Sequence, residues 1–295
     1  MLLDDKPSNL KAAPPTQIKL RKDPISERLA QFPWWLLAII LIAIWAAYII
    51  LSRENFKQAF EFISIGVSTT ISTTLYSYSI ALVIGLIAGL GRISRNVLIR
   101  NLATLYVELI RGVPILVLIF FIALVLVPSM VDSIQAYGEN LIAEGTNPLG
   151  PILASIENSL FSMNVRAIIA LSVTYGAFMA EIFRAGIQSI GRGQMEAARS
   201  LGMSYAQSMR YIILPQAIRN VLPALGNDFI AMVKDSSLVS VLAVRDITQV
   251  ARLYAGRTFR FREAYSTLAA LYLTMTLVLS FIVKWIERRY QRNGE

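Results

Sequence analysis

The chain has 295 residues, 55% of them apolar and 16% charged, whereas soluble globular chains carry about 25% charged residues, so a soluble enzyme, a coiled coil and a disordered chain are excluded. Cysteine and histidine are both absent, which removes disulfides, thiol nucleophiles, Ser-His-Asp triads and the usual ligands of zinc and haem; no catalytic or metal-binding set is expected. The 28 Lys+Arg against 19 Asp+Glu read, at a mean hydropathy of +0.56, as the basic cytoplasmic margin of a membrane protein and not as a nucleic-acid-binding surface.

Residues 1–32 are polar, with Pro14-Pro15 and scattered charges, and are expected to form a loosely ordered cytoplasmic tail. A first transmembrane helix is predicted over 33–52, where no charge interrupts Leu29 to Ser52 and Pro33-Trp34-Trp35 and Tyr48 supply interfacial aromatics. It is too long for the apolar region of a signal peptide. The uncharged run from Phe62 to Gly91 predicts a second span, long enough to tilt. A third is expected from about Asn101 to Val131, taking Glu108 and Arg111 into the membrane. The following loop, 128–164, has no Lys or Arg but holds Asp132, Glu139, Glu144 and Glu157, which places it outside. Further spans are predicted at 166–190, interrupted by Glu181 and Arg184, at 220–244, carrying Asp228, Lys234 and Asp235, and at 264–283.

These elements describe an all-α integral membrane protein of about six transmembrane helices. With the N-terminus inside, 18 Lys+Arg fall in cytoplasmic segments and 7 outside. Folding 220–244 back as a re-entrant hairpin changes the division to 19 and 6. Charge therefore leaves six spans and five spans plus a hairpin both open.

Residues 191–215 are helix-forming, moderately polar and lodged between two spans. Gln194 to Leu201 contains good helix formers, and Gly202 stands where a helix end favours a residue free to take positive φ. Ser204 is placed to cap a second helix, which is expected to run to Leu214 until Pro215 interrupts it. The result is a rigid elbow displaying the small residues Ala197 and Ala198. An ordinary interfacial helical hairpin has the same composition, so the argument turns on spacing.

Glu196-Ala197-Ala198, then Gly202, then Ile212-Ile213-Leu214-Pro215 resembles the EAA loop of ABC importer permeases at every defined position. The words Phe178-Met179-Ala180-Glu181-Ile182-Phe183-Arg184-Ala185-Gly186-Ile187, Leu214-Pro215-Gln216-Ala217-Ile218-Arg219, Glu108-Leu109-Ile110-Arg111-Gly112-Val113-Pro114 and Lys234-Asp235-Ser236-Ser237-Leu238 resemble the polar amino acid permease family. The resemblance covers about residues 60–288. It implies a five-helix core of the type I importer permease over 60–288, preceded by one extra N-terminal helix. It also implies a central path shared with a second permease subunit, identical or paralogous, and an external substrate-binding protein that delivers an amino acid.

The same resemblance docks the coupling loop 191–215, through Glu196, Ala197, Ala198, Gly202, Leu214 and Pro215, in a cleft of a cytoplasmic ATPase dimer. It places Val244 to Glu263 outside, which selects six spans, with both termini cytoplasmic in a bacterial inner membrane. The sequence departs from the family's minimal form in the tail, the helix at 33–52 and the long outer loop 128–164. No Gly-Lys dipeptide occurs, hence no Walker A loop; ATP is expected on the partner subunit and this chain needs no cofactor of its own.

Charges inside the membrane have two readings each. Arg111 is placed to meet a substrate carboxylate bidentately or to pair with Glu108 at i and i+3. Glu181 and Arg184 form a similar pair near the cytoplasmic end of their span. Lys234 and Asp235 read as an internal pair or as part of a gate. Gly66, Thr70, Thr73 and Ser77 form a small, hydroxylated stripe that either packs helices or lines the pathway, while Ala81, Gly85 and Gly89 read as a packing seam. An intramembrane protease lacks its Ser-His pair here, and an ion-driven carrier with repeated halves would need a second copy of the elbow, which the sequence does not contain.

Overall fold

The computed structural model describes residues 34–292 except 146; the expected tail at 1–32 lies outside them. Among the described residues the chain is helical, with no strand. Residues up to Ile42 form one unit and those from Ala43 another. Helix α1 (Trp34–Ser52) crosses that boundary and is apolar all round, as a lipid-facing helix should be. The remaining elements belong to the second unit.

Helix α2 (Glu54–Ser64) and helix α3 (Val67–Arg92) follow with only Ile65 and Gly66 between them, and α4 (Val97–Arg111) is capped by Asn96, whose side chain accepts from the amides of Leu98 and Ile99. Helix α5 (Ile115–Ala143) contains a π-helical turn at Ile122–Leu126. The short α6 (Gly150–Ala154) leads to α7 (Met163–Gln188). Then come α8 (Arg192–Ser200), α9 (Tyr205–Ser208) and α10 (Leu214–Asp235), the last two joined by a π turn at Met209–Ile213. A 3₁₀ segment, Ser236–Leu242, precedes α11 (Ile247–Thr258) and α12 (Phe261–Arg292).

Four helices among the described residues are long and apolar enough to cross a membrane: Glu54–Arg92, Ile115–Ala143, Met163–Gln188 and Phe261–Arg289, with Leu37–Ser52 a shorter apolar helix. Helix α10, at 22 residues, reaches about 33 Å at 1.5 Å per residue, but Asn220, Asn227, Asp228 and Lys234 make it more polar than the others. The span expected at 220–244 is therefore shifted towards the N-terminus, and the chain turns into 3₁₀ geometry at Ser236, inside the Lys-Asp-Ser-Ser-Leu word.

The centre of the fold is the pairing of α3 with α7. A Cβ on Gly85 would lie 2.6 Å from the Cβ of Met179, and one on Gly89 would lie 2.8 Å from the carbonyl oxygen of Ala180. One on Gly176 would meet Ile84 at 2.7 Å and the Tyr106 hydroxyl at 2.9 Å. With Ala81 fully buried, the Ala81-Gly85-Gly89 spacing is a packing seam. Close backbones matter here because lipid supplies no hydrophobic force to press helices together, leaving dispersion and interhelical hydrogen bonds.

The N-terminal end of α3 is tied by hydroxyls and one glycine. The Ile247 amide donates to Thr70 Oγ1 at 3.1 Å, and a Cβ on Gly66 would fall 2.7 Å from the Ile247 nitrogen. Asp246 caps α11 by accepting from the amides of Thr248 and Gln249. Burial pushes its carboxyl above the ordinary range against those bonds, which favour the anion. Buried Ala59, Ile63, Ala251 and Leu268 close this cluster of α2, α11 and α12.

The loop expected at 128–164 is partly helix. Helix α5 continues unbroken to Ala143, burying Val127, Val131 and Gly138, and α6 packs back against it so closely that Gly138 has no room for a Cβ beside Leu153 and Ala154. Arg166 locks the turn: its guanidinium donates to the carbonyls of Phe161 (2.9 Å), Asn158 (3.1 Å) and Ala123 (3.3 Å). Ala123 lies in the π turn, where helical hydrogen bonding is out of its usual register, and the Asn158 side-chain oxygen, at 3.2 Å, completes the set of acceptors around the guanidinium.

Gly85→Val is expected to destabilise the chain by about 1–3 kcal/mol through overpacking, while Gly256→Ala, where a Cβ meets nothing within 4 Å, leaves it unchanged. Thermal unfolding of the two variants in detergent reads the difference; equal midpoints would mean that α3 and α7 do not approach as described.

Candidate functional site

The elbow is built as a turn between two capped helices. Helix α8 ends with Leu201 donating to Ala197 O and Met203 donating to Ala198 O, the wrap-around expected of a glycine-terminated helix. Gly202 has φ +83°, the left-handed conformation that glycine adopts without penalty. Ser204 and Gln207 then form a complete capping box, with Gln207 N donating to Ser204 Oγ at 3.2 Å and Ser204 N to Gln207 Oε1 at 2.8 Å.

Two expectations about this segment change. Pro215 does not interrupt the second helix. A proline ring clashes with the carbonyl four residues back, here Tyr211, and that residue lies within the π turn, so α9, the turn and α10 run on as one continuous helix. Nor are both alanines on display: Ala198 is buried and Ala197 exposed.

Glu196 and Pro215 are exposed and Leu214 is half-buried. The residue that sequence reading passed over is Leu201, 83% exposed at the tip of the elbow beside Gly202. The only signal in the sequence is an apolar residue at a helix C-terminus beside a glycine, and Met203, two residues on, shares its apolar character. Behind the tip, Ile187, Ile213 and Ala217 form a small buried cluster that seats the elbow. Arg95 adds a cation–π contact, its guanidinium 5.4 Å from the Tyr205 ring centroid.

Above the elbow lies a chain of charges. Arg92 donates to Glu181 Oε2 at 2.7 Å and to Glu108 Oε1 at 3.0 Å, with only 13% of its side chain exposed. Arg184 pairs with Glu181 as the i, i+3 spacing suggested. The Glu108–Arg111 pair does not form: Glu108 turns to Arg92 instead. Sequence spacing favours neighbours on one helix, and only the α3–α4–α7 packing brings Arg92 within reach of both carboxylates.

Arg111 is the last residue of α4, about 21 Å along the axis from Val97. Helix α4 stops there, Gly112 to Pro114 break the chain and α5 restarts at Ile115, so the single helix expected over 101–131 is two. The Arg111 guanidinium sits 5.9 Å from the Phe178 ring centroid, within electrostatic reach of Glu181, and is exposed in the isolated chain.

Lys234 and Asp235 make no ion pair among the described residues. Asp235 accepts a hydrogen bond from Tyr175 at 2.7 Å, and Lys234 is exposed. Thr70 and Thr73 are fully buried: Thr70 receives the Ile247 amide, and Thr73 donates to Asn164 Oδ1 at 2.7 Å. The stripe continues with Ser77, whose hydroxyl donates to Ile168 O, while Ser172 donates to Ser77 O. These contacts place Thr70 and Thr73 in helix packing.

Among the described residues the chain is helical, with helices apolar and long enough to cross a membrane and a polar elbow between two of its helices. Residues 81–292 match the family described as binding-protein-dependent transport system inner membrane component. The chain is 34% identical over 224 residues to a glutamine transport system permease protein of Escherichia coli K12, covering 76% of this chain and 90% of that one. It is 34% identical over 242 residues to a probable glutamine ABC transporter permease protein of Bacillus subtilis, covering 81% and 96%. The crystal structure of an amino acid ABC transporter superposes with a TM-score of 0.63 at 36% identity, covering 81% of this chain and 98% of that one.

The chain belongs to the binding-protein-dependent transport system inner membrane component family. It is a multi-pass inner-membrane permease subunit, not an enzyme, and family membership implies an ATPase and a substrate-binding protein as partners.

Arg92→Leu removes the cation shared by Glu181 and Glu108; because Glu181 keeps Arg184 and Glu108 is largely exposed, the expected loss of stability is about 1–2 kcal/mol. Replacing Glu108 with Gln, which keeps a hydrogen-bond acceptor, costs less. Thermal unfolding of both variants in detergent checks the order; a smaller loss for Arg92→Leu would contradict the network.

Proposed function

We propose that this chain is the membrane subunit of an amino acid importer, with two permease chains, identical or paralogous, enclosing the substrate path. Residues 191–215 dock on a cytoplasmic ATPase dimer, both termini lie on that side, and the binding protein delivers its cargo to the opposite face. The glutamine and amino acid permeases among its relatives support the substrate class. The observation that carries the coupling role is the elbow: a rigid turn with exposed Glu196 and Ala197 and an unpaired leucine at its tip.

A leucine at the centre of a small interface belongs in an apolar pocket of the partner, and Gly202 lets the backbone turn beneath it without a side chain in the way. Docking through Leu201 is rigid because the capping box on one side and the buried cluster of Ile187, Ile213 and Ala217 on the other leave the turn no slack. A closing motion of the ATPases is then passed directly into α10.

Arg111 supports the position of the path. An arginine well inside the membrane cannot face acyl chains at acceptable cost, so the face it opens onto is covered by the second permease or filled with water. A planar guanidinium beside a helix break is suited to the α-carboxylate that every amino acid substrate carries, whatever its side chain.

Leu201→Asp is expected to leave insertion and folding intact while abolishing co-purification of the ATPase; retention of the ATPase at wild-type stoichiometry would sink the docking assignment. Arg111→Lys keeps the charge but loses the fork, and a charged hydrogen bond of about 1.5–3 kcal/mol corresponds to a loss of uptake of roughly 10- to 150-fold. The assay is uptake of a panel of radiolabelled amino acids into proteoliposomes holding the complete transporter, with basal ATP hydrolysis measured in parallel. Unchanged uptake with Lys removes Arg111 from the path, and no uptake of any amino acid by the unmutated complex removes the substrate class.

A further inference from the structure

The C-terminal half of α1 and the beginning of α12 enclose a crevice of about 280 Å³. Its walls are apolar, with Trp45, Ile49 and Phe56 among them, but two guanidinium side chains, Arg53 and Arg262, also line it. Arg53 is exposed and, among the described residues, its guanidinium makes no hydrogen bond or ion pair. Arg262 gives one contact to Glu263 at 3.3 Å and keeps 72% of its side chain in the open.

A second crevice, of about 330 Å³, lies along the same two helices, lined by residues such as Ala47, Ile50, Phe60 and Leu273. No charged residue lines it. Two comparable grooves thus accompany α1, both suited to hydrocarbon, and only one of them adds positive charge.

We infer that the charged crevice binds an anionic phospholipid. The phosphate lies on Arg53 and Arg262, and one acyl chain runs between Trp45, Ile49 and Phe56. The surrounding charge favours an anion: residues 245–263 carry five arginines against Asp246 and Glu263. A soluble phosphate would satisfy the arginines and leave the apolar walls bare. A zwitterionic lipid would fill the walls and bring its own cation to the arginines. The lipid chain fills the gap between the added helix and α12, so α1 is held to the permease core by an interaction that depends on membrane composition.

The test uses the full chain in nanodiscs and the fluorescence of Trp45, isolated as the difference between wild type and Trp45→Phe. Dibrominated phosphatidylglycerol is expected to quench Trp45 at a mole fraction roughly tenfold lower than dibrominated phosphatidylcholine does, since each basic side chain at a membrane surface favours an anionic lipid several-fold. Arg53→Gln with Arg262→Gln removes that preference. Arg53→Gln alone, at an exposed position, gives a partial loss with no risk to folding. Inorganic phosphate in excess leaves the quenching unchanged. Equal quenching by the two brominated lipids, or a preference that survives the double substitution, overturns the assignment, as does displacement of the anionic lipid by phosphate.

Discussion

The structure depends on how closely α3 and α7 approach one another. In water, apolar side chains would press these helices together; in a bilayer the surroundings are as apolar as the side chains, and contact must come from dispersion at short range and from polar groups with nowhere else to turn. Gly85, Gly89 and Gly176 remove the atoms that would hold the backbones apart. At that separation hydroxyls and carbonyls on the two helices can reach one another, as Ser77 and Ser172 do, and Tyr106 can lay its hydroxyl on the Val173 carbonyl at 2.6 Å. The charge chain follows from the same geometry, because Arg92 at the end of α3 meets Glu181 on α7 only if the helices are already in register.

Much of this was legible in the sequence. Four-residue spacing of Ala81, Gly85 and Gly89 marks a helix face, and a face made of the smallest residues in a membrane chain has one main use. The elbow was legible for a different reason: glycine and capping residues act locally, through φ and through amides one turn away, so Gly202 and Ser204 announce the turn without knowledge of anything that packs on it, and the structure adds Gln207 as the other half of the capping box.

What stayed hidden was set by tertiary contact. Glu108 and Arg111 share a helical face, but the partner Glu108 takes comes from another helix, and no spacing rule contains that information. The extension of α5 was obscured because the absence of Lys and Arg was read as topology, although Val127, Val131, Gly138 and Ile142 recur at helical intervals. Pro215 misled because a proline is normally a stop; the π turn before it absorbs the clash, and such turns have no simple signature in sequence.

That absorbed proline has a mechanical consequence. From Tyr205 to Asp235 the helical backbone is continuous, about 45 Å long at 1.5 Å per residue, with the elbow at one end and the 3₁₀ segment at the other. About two-thirds of the way along, the Leu225 carbonyl accepts from the Tyr78 hydroxyl at 2.8 Å. A second proline, Pro223, lies just before that point inside α10, where it removes one bond of the helical ladder. The helix is thus anchored to α3 beside the place where its own hydrogen bonding is weakest, and that anchor divides it into a longer stretch bearing the elbow and a shorter one ending at Asp235.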